Sequence, residues 1–364
     1  MTTPELAGQS PNLLDQSEEL GTDLADQCLA EHAAEPPDIG SQRRIIGVDA
    51  LGECLVADRH GVGRVVIAAA CSRNIAAMHF FVTGATGFIG GYVTSHLLAQ
   101  GHAVTGLVRT QDQARAIAEY GVRPQVGDLL DRESLRRGMR RTDGVFHCAA
   151  WHRLAGRRYA KVAQAVNVIG TRNVLEVMRD LNIARGVYTS GLLVHGNTQG
   201  QVVDEGDVCE GRHFSVVGRT KWEAHYRVAL PMIRNGLPLT IVMPGVVYGP
   251  GDTSSLGAML GRHLRGRVPA VPSKTAFCWA HASDIGWGHL MAMERGRSGQ
   301  TYVMCGPAHT VAEVFGIAGR MIGRRRDPLP LPWPALRAAA SVLAVLRYPV
   351  PPLGAAAERL RSLG

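Results

Sequence analysis

The chain has 364 residues, of which 46% are hydrophobic and 19% charged, and a formal net charge of +8 at pH 7. This length suits one large globular domain or two ordinary ones. Residues 1–40 hold nine acidic and no basic residues, so residues 41–364 carry 39 basic and 22 acidic residues, a net charge of +17. The arginines are spread along the chain without interleaved aromatic residues. This favours an anionic small molecule and a solvated surface over nucleic acid as the reason for the charge.

The seven cysteines are scattered and include no CxxC pair. This spacing indicates neither a disulfide framework nor a zinc site, and it fits a reducing cytoplasm. The acidic start excludes a secretory signal peptide. The apolar run at 331–346 contains Arg337 and is 16 residues long, which is too short and too interrupted to span a membrane. We therefore expect a cytoplasmic protein with no transmembrane segment and no metal site.

Residues 1–77 precede the first clear motif. Residues 1–40 are polar and acidic, which predicts disorder, and residues 43–70 have short apolar runs between glycines that allow two or three strands. Met78 stands directly before the first motif strand. Both a start assigned too far upstream and a genuine regulatory tail are therefore open interpretations of this N-terminal extension.

From Met78 onward, apolar strands alternate with helices. The predicted strands are HFFVTG, HAVTGLVRT, VRPQVGD, DGVFHCAA, ARGVYTS and LTIVMPG. This alternation predicts an α/β fold, a Rossmann-type doubly wound parallel sheet that binds its ligand beyond the carboxyl ends of the strands. We predict a dinucleotide-binding domain at 78–248. A small C-terminal substrate lobe with a helical segment is predicted at 249–364.

The stretch TGATGFIG places three glycines directly after a strand and at the start of a helix. Gly84 allows the tight turn, Gly87 lets the backbone approach a pyrophosphate, and Gly90 lets helix and strand pack closely. The free N–H groups of the helix N-terminus then face the phosphates. The predicted phosphate-binding residues are Gly84, Thr86, Gly87, Phe88, Ile89 and Gly90.

The glycine spacing is GxxGxxG, and further motifs follow it in order: LVRT, GDLLD, VFHCAA, NVIGTRNVLE, VYTSG, GRTKWEA, PGVVYGPGD and HASDIGWGHLMAME. In these motifs the chain, from about Met78 to about residue 325, resembles the extended short-chain dehydrogenases/reductases of the NAD-dependent epimerase/dehydratase family. The dihydroflavonol-reductase and 3β-hydroxysteroid-dehydrogenase branch is most similar. The resemblance implies an NAD(P)-dependent oxidoreductase acting on a keto or hydroxyl group of a small, sterol-like or flavonol-like substrate. Members usually continue beyond the point where this chain stops, so the resemblance also implies a truncated substrate lobe.

The same resemblance assigns further cofactor contacts. Arg109 ends the second strand, where an acidic residue would bind the ribose hydroxyls of NAD and an arginine suits the 2′-phosphate of NADP. We therefore expect NADP, with NAD as the alternative. The remaining contacts that the resemblance implies are Asp128, Leu129, Ala149, Ala150, Lys221 and Pro244. Asn167 matches a helix residue with a structural role.

The resemblance also implies a catalytic pair that this chain lacks. The family carries YxxxK on a helix, in which the lysine holds the nicotinamide ribose and the tyrosine exchanges a proton with the substrate oxygen. Lys221 matches the lysine, but Val217 stands at the position of the tyrosine. Gly191 likewise stands where the family has a serine or threonine that orients the substrate carbonyl. Lys221 is thus the one expected catalytic residue, and His213 and His281 are candidate replacements for the missing acid, each weighed against an ordinary loop or surface histidine.

Three hypotheses follow from these departures. The chain is an oxidoreductase-family enzyme with impaired or altered catalysis, a non-enzymatic dinucleotide-binding or sensor protein, or a degenerate gene product. The expected partner is a small-molecule substrate, and a homodimer is left open.

Overall fold

The computed structural model describes residues 77–152, 159–209, 213, 215–268, 270–323, 327–336 and 338, and the backbone of three short strands before them. Those strands are β1 (Arg44–Val48), β2 (Cys54–Asp58) and β3 (Gly61–Val65), which pair in an antiparallel sheet of their own. They agree with the two or three strands expected at 43–70. The predicted disorder of residues 1–40 and the C-terminal part of the apolar run lie outside the described residues.

The main sheet has seven parallel strands in the order β13-β9-β8-β7-β4-β5-β6. Its strands are β4 (His79–Thr83), β5 (Ala103–Val108), β6 (Arg123–Val126), β7 (Gly144–His147), β8 (Gly186–Thr189), β9 (Leu239–Pro244) and β13 (Thr301–Met304). Six of these strands coincide with the predicted ones. The seventh, β13, pairs with β9. It lies beyond the predicted boundary at 248 and is not among the predicted strands, because a four-residue strand carries little periodicity.

Helices cover both faces of this sheet. They are α1 (Phe88–Ala99), α2 (Gln111–Ala118), α3 (Arg132–Met139), α4 (Ala160–Gln164), α5 (Thr171–Asp180), α6 (Val216–Ala224), α7 (Leu230–Arg234) and α9 (Ala282–Glu294). A π-helical turn at Ala165–Gly170 joins α4 to α5, and another at His225–Ala229 joins α6 to α7. The predicted Rossmann-type fold is therefore confirmed.

Successive strand residues enter different cores. Phe81 packs with Leu135 and Leu175 on one side of the sheet, whereas its neighbour Phe80 packs with Leu97 and Ile285 on the other. Adjacent strand side chains point to opposite faces, so a sheet covered on both faces requires an almost continuous apolar run. This requirement explains why HFFVT is apolar at consecutive positions.

A smaller region follows β9. It contains β10 (Val246–Tyr248), α8 (Ser255–Leu264), β11 (Ala270–Pro272), β12 (Ala276–His281), β14 (Ala308–Thr310), α10 (Val311–Met321) and β15 (Leu329–Leu331). Its own core contains Val271, Trp279, Val311 and Phe315. Because β10 continues from β9 and pairs with β12 in parallel register, this region adjoins the carboxyl end of the main sheet.

Candidate functional site

The glycine turn after β4 has the backbone geometry that its sequence requires. Gly84 has a φ of 76°, and a Cβ there would lie 2.8 Å from the backbone nitrogen of Ala149. A Cβ at Gly90 would lie 2.1 Å from the carbonyl oxygen of Gly84. Both positions therefore exclude a side chain, since real Cβ atoms do not approach backbone this closely. The tight turn and the close packing of α1 follow from these two glycines.

The N-terminus of α1 fits a pyrophosphate. Gly87 is its N-cap and supplies no side-chain hydrogen bond, and the first turn holds no acidic residue. Phe88, Ile89 and Gly90 have the unpaired N–H groups of a first helical turn, which suit an anion. Thr86 and Gly87 are exposed beside them. Six other helices begin with a side-chain cap, supplied by Thr110, Asp131, Ser215, Ser254, His281 or Thr310. Helix α5 also has no side-chain cap, but it continues directly from a π-helical turn.

The turn lies where the sheet order reverses. Strand β4 has β5 on one side and β7 on the other. After β4 the chain continues to β5, whereas after β7 it continues to β8 on the opposite side. The crevice between two such connections is the usual ligand position in these sheets. Ala149 donates its backbone N–H to the hydroxyl of Thr83 over 3.3 Å. Ala149 and Ala150 are half-buried, so small side chains line this crevice.

Arg109 and Asp128 occupy the ends of the neighbouring strands β5 and β6. Arg109 is exposed after β5, and within the described parts of the chain no hydrogen bond or ion pair engages its guanidinium group. Asp128 is exposed after β6 and accepts a hydrogen bond from the Leu130 N–H over 2.8 Å. Leu129 is buried against Gly170. The arrangement leaves Arg109 available to an anionic ligand.

Lys221 lies between α6 and the end of β8. Its Nζ donates a hydrogen bond to the Thr189 carbonyl over 2.8 Å and lies 5.5 Å from the ring centroid of Tyr188. Burial lowers the pKa of Lys221 to about 8, because an ammonium group loses hydration there.

The histidines around Lys221 stay neutral at pH 7. Burial and the charge of Lys221 lower the pKa of His147 to about 3 and that of His289 to about 4. His225 has its pKa lowered to about 4 by burial, with His195 and Lys221 as further causes. Their ring nitrogens bind Thr83, Thr171, Thr189 and Ser190. Lys221 is therefore the cation of this cluster.

Val217 and Lys221 lie on one face of α6, as their spacing predicts. Val217 is 5% exposed. Gly191 follows β8, and the nearest atom to a Cβ there would be the Pro244 carbonyl oxygen at 3.6 Å. A side chain therefore has room at Gly191. Its φ of 159° lies at the border of the region that favours glycine.

The hydroxyl groups that precede Gly191 are already engaged. Ser190 hydrogen-bonds to His225 Nδ1 and Thr189 to His289 Nε2, each over 2.8 Å. Both side chains are buried. Neither hydroxyl is therefore free to take the place of the missing serine or threonine.

The two candidate histidines have different surroundings. His213 packs against Gly218 and Trp222, and both of its ring nitrogens are buried without a hydrogen-bond partner among the residues that the structure describes. His281 is the N-cap of α9 and lies between Tyr92 and Tyr248. Neither is an ordinary surface histidine.

A buried amide links the crevice to α6. Asn167 accepts from the Trp151 N–H over 2.6 Å and donates to the Trp151 carbonyl and the Thr220 hydroxyl. Thr220 precedes Lys221, so Asn167 ties the loop after β7 to the helix that carries the lysine.

The model of the NAD-dependent epimerase/dehydratase family matches residues 80–305. The chain belongs to this family. It is 31% identical to sterol demethylase protein B of Methylococcus capsulatus over 70% of this chain and 78% of that protein. It is 34% identical to a putative dihydroflavonol 4-reductase of Synechocystis over 61% of this chain and 65% of that protein.

A third relative carries a ketoreductase name. The 4-hydroxy-2-methyl-3-oxo-4-farnesyl-3,4-dihydroquinoline-1-oxide ketoreductase of Stigmatella aurantiaca is 32% identical over 72% of this chain and 79% of its own length. Among solved structures, gox2253 superimposes with a TM-score of 0.66 at 29% identity, covering 78% of this chain and 87% of that chain. A nucleoside-diphosphate-sugar epimerase of Pseudomonas aeruginosa gives a TM-score of 0.62 at 25% identity, covering 74% and 85%. The family binds a nicotinamide dinucleotide.

Sequence reasoning missed several residues of the site. His147, His225 and His289 form buried hydrogen bonds with partners far away in the chain, so no local sequence pattern predicts these bonds. Among the described residues no group of three His, Cys, Asp or Glu side chains is placed to hold a metal ion. Nor does any helix in those parts of the chain combine the length and apolarity needed to cross a membrane.

Proposed function

We propose that the chain binds NADP(H) along the carboxyl edge of the sheet and uses it, with low turnover, on a keto or hydroxyl group of a small sterol-like or flavonol-like substrate. The observation that carries this proposal is the position of Lys221. It supplies a cation beside the end of β8, while Val217 and Gly191 offer no proton donor there. The cofactor-binding half of the site is therefore present without its usual acid.

The preference for NADP(H) rests on Arg109. Its side chain is exposed next to the expected adenosine position and has no competing carboxylate partner in the described parts of the chain. A bidentate guanidinium contact suits a phosphate. Phe88, Ile89 and Gly90 would hold the pyrophosphate through backbone N–H groups, and the bound nicotinamide would supply or accept the hydride.

The substrate class rests on the relatives' names and on the missing acid. Names of three relatives refer to a sterol, a dihydroflavonol and a ketone. In a ketone reduction the developing alkoxide needs a proton, and loss of a general acid commonly slows the reaction by about 10²–10⁴-fold. The proposal therefore expects slow rather than absent chemistry. The protein is expected in the cytoplasm, on the basis of its cysteine pattern.

A second function remains favoured by the same two positions. A valine and a glycine in place of both substrate-oxygen partners suit a non-enzymatic dinucleotide-binding or sensor protein. Titration of the protein with NADPH and NADH, followed by single-turnover measurement of NADPH oxidation with a panel of steroid and flavonoid ketones, separates the two. Tight NADPH binding with slow ketone-dependent oxidation supports the enzyme. Tight binding without any oxidation supports the sensor, and absence of binding contradicts both.

A further inference from the structure

Tyr248 and His281 stand side by side in the smaller region that follows β9. They are register partners at the carboxyl ends of the parallel strands β10 and β12. Their ring centroids are 5.5 Å apart with an interplanar angle of 75°. Pro244 ends β9 and is expected beside the nicotinamide, and β10 begins two residues later. Tyr248 therefore lies only four residues beyond the expected nicotinamide position.

The hydrogen bonding of His281 determines which ring nitrogen is a donor. His281 Nδ1 accepts the backbone N–H of Ser283, in the first turn of α9, over 3.3 Å. A nitrogen that accepts a hydrogen bond has its lone pair free, so the proton of the neutral ring lies on Nε2. Within the described residues, no protein acceptor binds His281 Nε2 or the Tyr248 hydroxyl group. Tyr248 is 41% exposed, so its hydroxyl is within reach of a ligand.

A glycine leaves His281 Nε2 approachable. Gly249 has a φ of 146°, and a Cβ at this position would lie 3.1 Å from Nε2. The next residue, Pro250, accepts a hydrogen bond from the Tyr92 hydroxyl over 3.1 Å. This bond fastens the loop after β10 to α1, the helix that begins at the glycine turn.

Aromatic rings continue from this pair to the phosphate-binding end of α1. The Tyr92 ring lies 6.4 Å from that of His281 and 5.8 Å from that of Phe88. In the other direction, Tyr248 contacts Trp279 at 6.4 Å. Such rings present large apolar surfaces with polar tips. The surface between the expected cofactor and the substrate region therefore suits a planar, largely apolar molecule.

Asp284 indicates the charge of the ligand. Its carboxylate interacts electrostatically with both Tyr248 and His281. A negative charge at this point opposes a phosphate or carboxylate ligand, whereas a neutral carbonyl or hydroxyl oxygen is compatible with it. Two hydrogen-bond donors beside a carboxylate thus favour an uncharged oxygen acceptor.

We propose that Tyr248 and His281 are substrate-positioning residues that bind a neutral oxygen of a planar ring compound through the Tyr248 hydroxyl and His281 Nε2–H. The proposal rests on the function proposed above and specifies where the oxygenated ring of its substrate lies. It assigns no proton transfer to either residue. The pair lies at a different position from Val217, which replaces the family's tyrosine. Tyr248 and His281 belong to the region after β9, whereas Val217 belongs to α6.

The test measures binding of two probes, the flavonol quercetin and the steroid ketone progesterone, to the protein saturated with NADP⁺. Tyr248→Phe removes the hydroxyl and keeps the ring. His281→Asn removes Nε2–H, while an asparagine can still accept the Ser283 N–H as an N-cap. Tyr120→Phe, at a tyrosine that is 78% exposed, is the matched control. NADPH affinity and melting temperature are measured for every variant.

We expect each of the two site variants to weaken binding of at least one probe about three- to tenfold, the loss of one neutral hydrogen bond. NADPH affinity should change by less than about twofold, and Tyr120→Phe should change nothing. Unchanged probe binding in both variants overturns the proposal, as does failure of both probes to bind a protein that binds NADPH. If inorganic phosphate binds and the two variants weaken its binding instead, the site binds an anion and the proposal is wrong. Failure of NADPH itself to bind contradicts the proposed function and is recognised separately.

Discussion

The ammonium group of Lys221 donates a 2.8 Å hydrogen bond to the backbone carbonyl of Thr189. This contact joins α6 to the carboxyl end of β8. A lysine has three N–H donors, so two remain for a ribose when the cofactor binds. The contact therefore orients Lys221 and leaves N–H donors for its expected role in binding the cofactor. Val217, on the same helix face, cannot donate a proton.

Cofactor selectivity should depend on Arg109. We expect wild-type protein to prefer NADPH over NADH, and Arg109→Asp to weaken NADPH binding by about 1.5–3 kcal/mol, the contribution of a charged hydrogen-bonded contact. Isothermal titration with both cofactors measures this. Arg115→Asp is the control, because Arg115 is exposed and pairs with Asp112 in the same helix. Equal affinities for NADPH and NADH in the wild type would refute the role of Arg109.

Cofactor affinity should fall as pH rises through about 8. The pKa of Lys221 is lowered to about 8 by burial, so the lysine loses its charge above that pH and attracts the ligand less. Lys221→Met should weaken NADPH binding by about 1–3 kcal/mol and abolish this pH dependence. Binding isotherms between pH 7 and pH 9 test both points, with Lys161→Met, at an exposed lysine, as control.

The lowered pKa of Lys221 also affects the free energy of unfolding, which should rise with pH where cofactor affinity falls. The folded-state pKa of Lys221, about 8, lies below its ordinary value. Between the two values the unfolded chain binds more protons than the folded chain, so this group's contribution to the free energy of unfolding increases with pH there. Below pH 8 the full cost of burying the charged lysine is present. A Lys221→Met protein should lack this pH-dependent increment in chemical denaturation, and an unchanged pH profile would contradict the assignment.

Reductase turnover should respond to restoring both missing groups. We expect Val217→Tyr combined with Gly191→Ser to raise single-turnover oxidation of NADPH by a ketone well above either single change, since the two groups act on one oxygen as a unit. Val217→Phe and Gly191→Ala are the matched controls. They introduce the same bulk and backbone demand without the hydroxyl. Fast turnover in the unmodified protein would point instead to another acid such as His213.

The glycine turn should be sensitive at one position and tolerant at the next. A Cβ at Gly90 would lie 2.1 Å from the Gly84 carbonyl oxygen, whereas a Cβ at Gly91 would lie 3.7 Å from the Ala85 carbonyl oxygen. Gly90→Ala should lower the free energy of unfolding by at least about 1–3 kcal/mol. Gly91→Ala should raise it by about 0.5–1 kcal/mol through helix propensity. Equal effects in urea denaturation would show that the turn relaxes around Gly90.

The N-terminal extension should be dispensable for the main sheet. We expect residues 78–364 to fold and to bind NADPH as the full chain does, because the first strand of the main sheet begins at His79. A chain of residues 44–364, which keeps strands β1–β3, is the control. Melting temperature and NADPH affinity are compared for all three. Failure of 78–364 to fold, with normal behaviour of 44–364, would show that the small sheet stabilises the core.

Local sequence determined most of the strand and helix pattern. The continuous apolar run HFFVT and the glycines at 84, 87 and 90 act over a few residues, so the first strand, its turn and α1 follow from the sequence alone. The resemblance to the family's YxxxK motif, with its fixed i to i+4 spacing, likewise singled out Lys221 and Val217. These features are predictable because backbone conformation and helix periodicity are local properties.

Contacts between distant segments were decided only by the tertiary structure. Strand β13 joins the sheet through pairing with β9, although only four residues form it. The orientation of Lys221 toward Thr189, the burial of His147, His225 and His289, and the pairing of Tyr248 with His281 all join residues that lie far apart in sequence. Their hydrogen bonds and pKa values depend on desolvation by neighbours that folding supplies. The sequence and its family resemblance therefore singled out candidate residues, whereas only the packed fold determined their partners and charges.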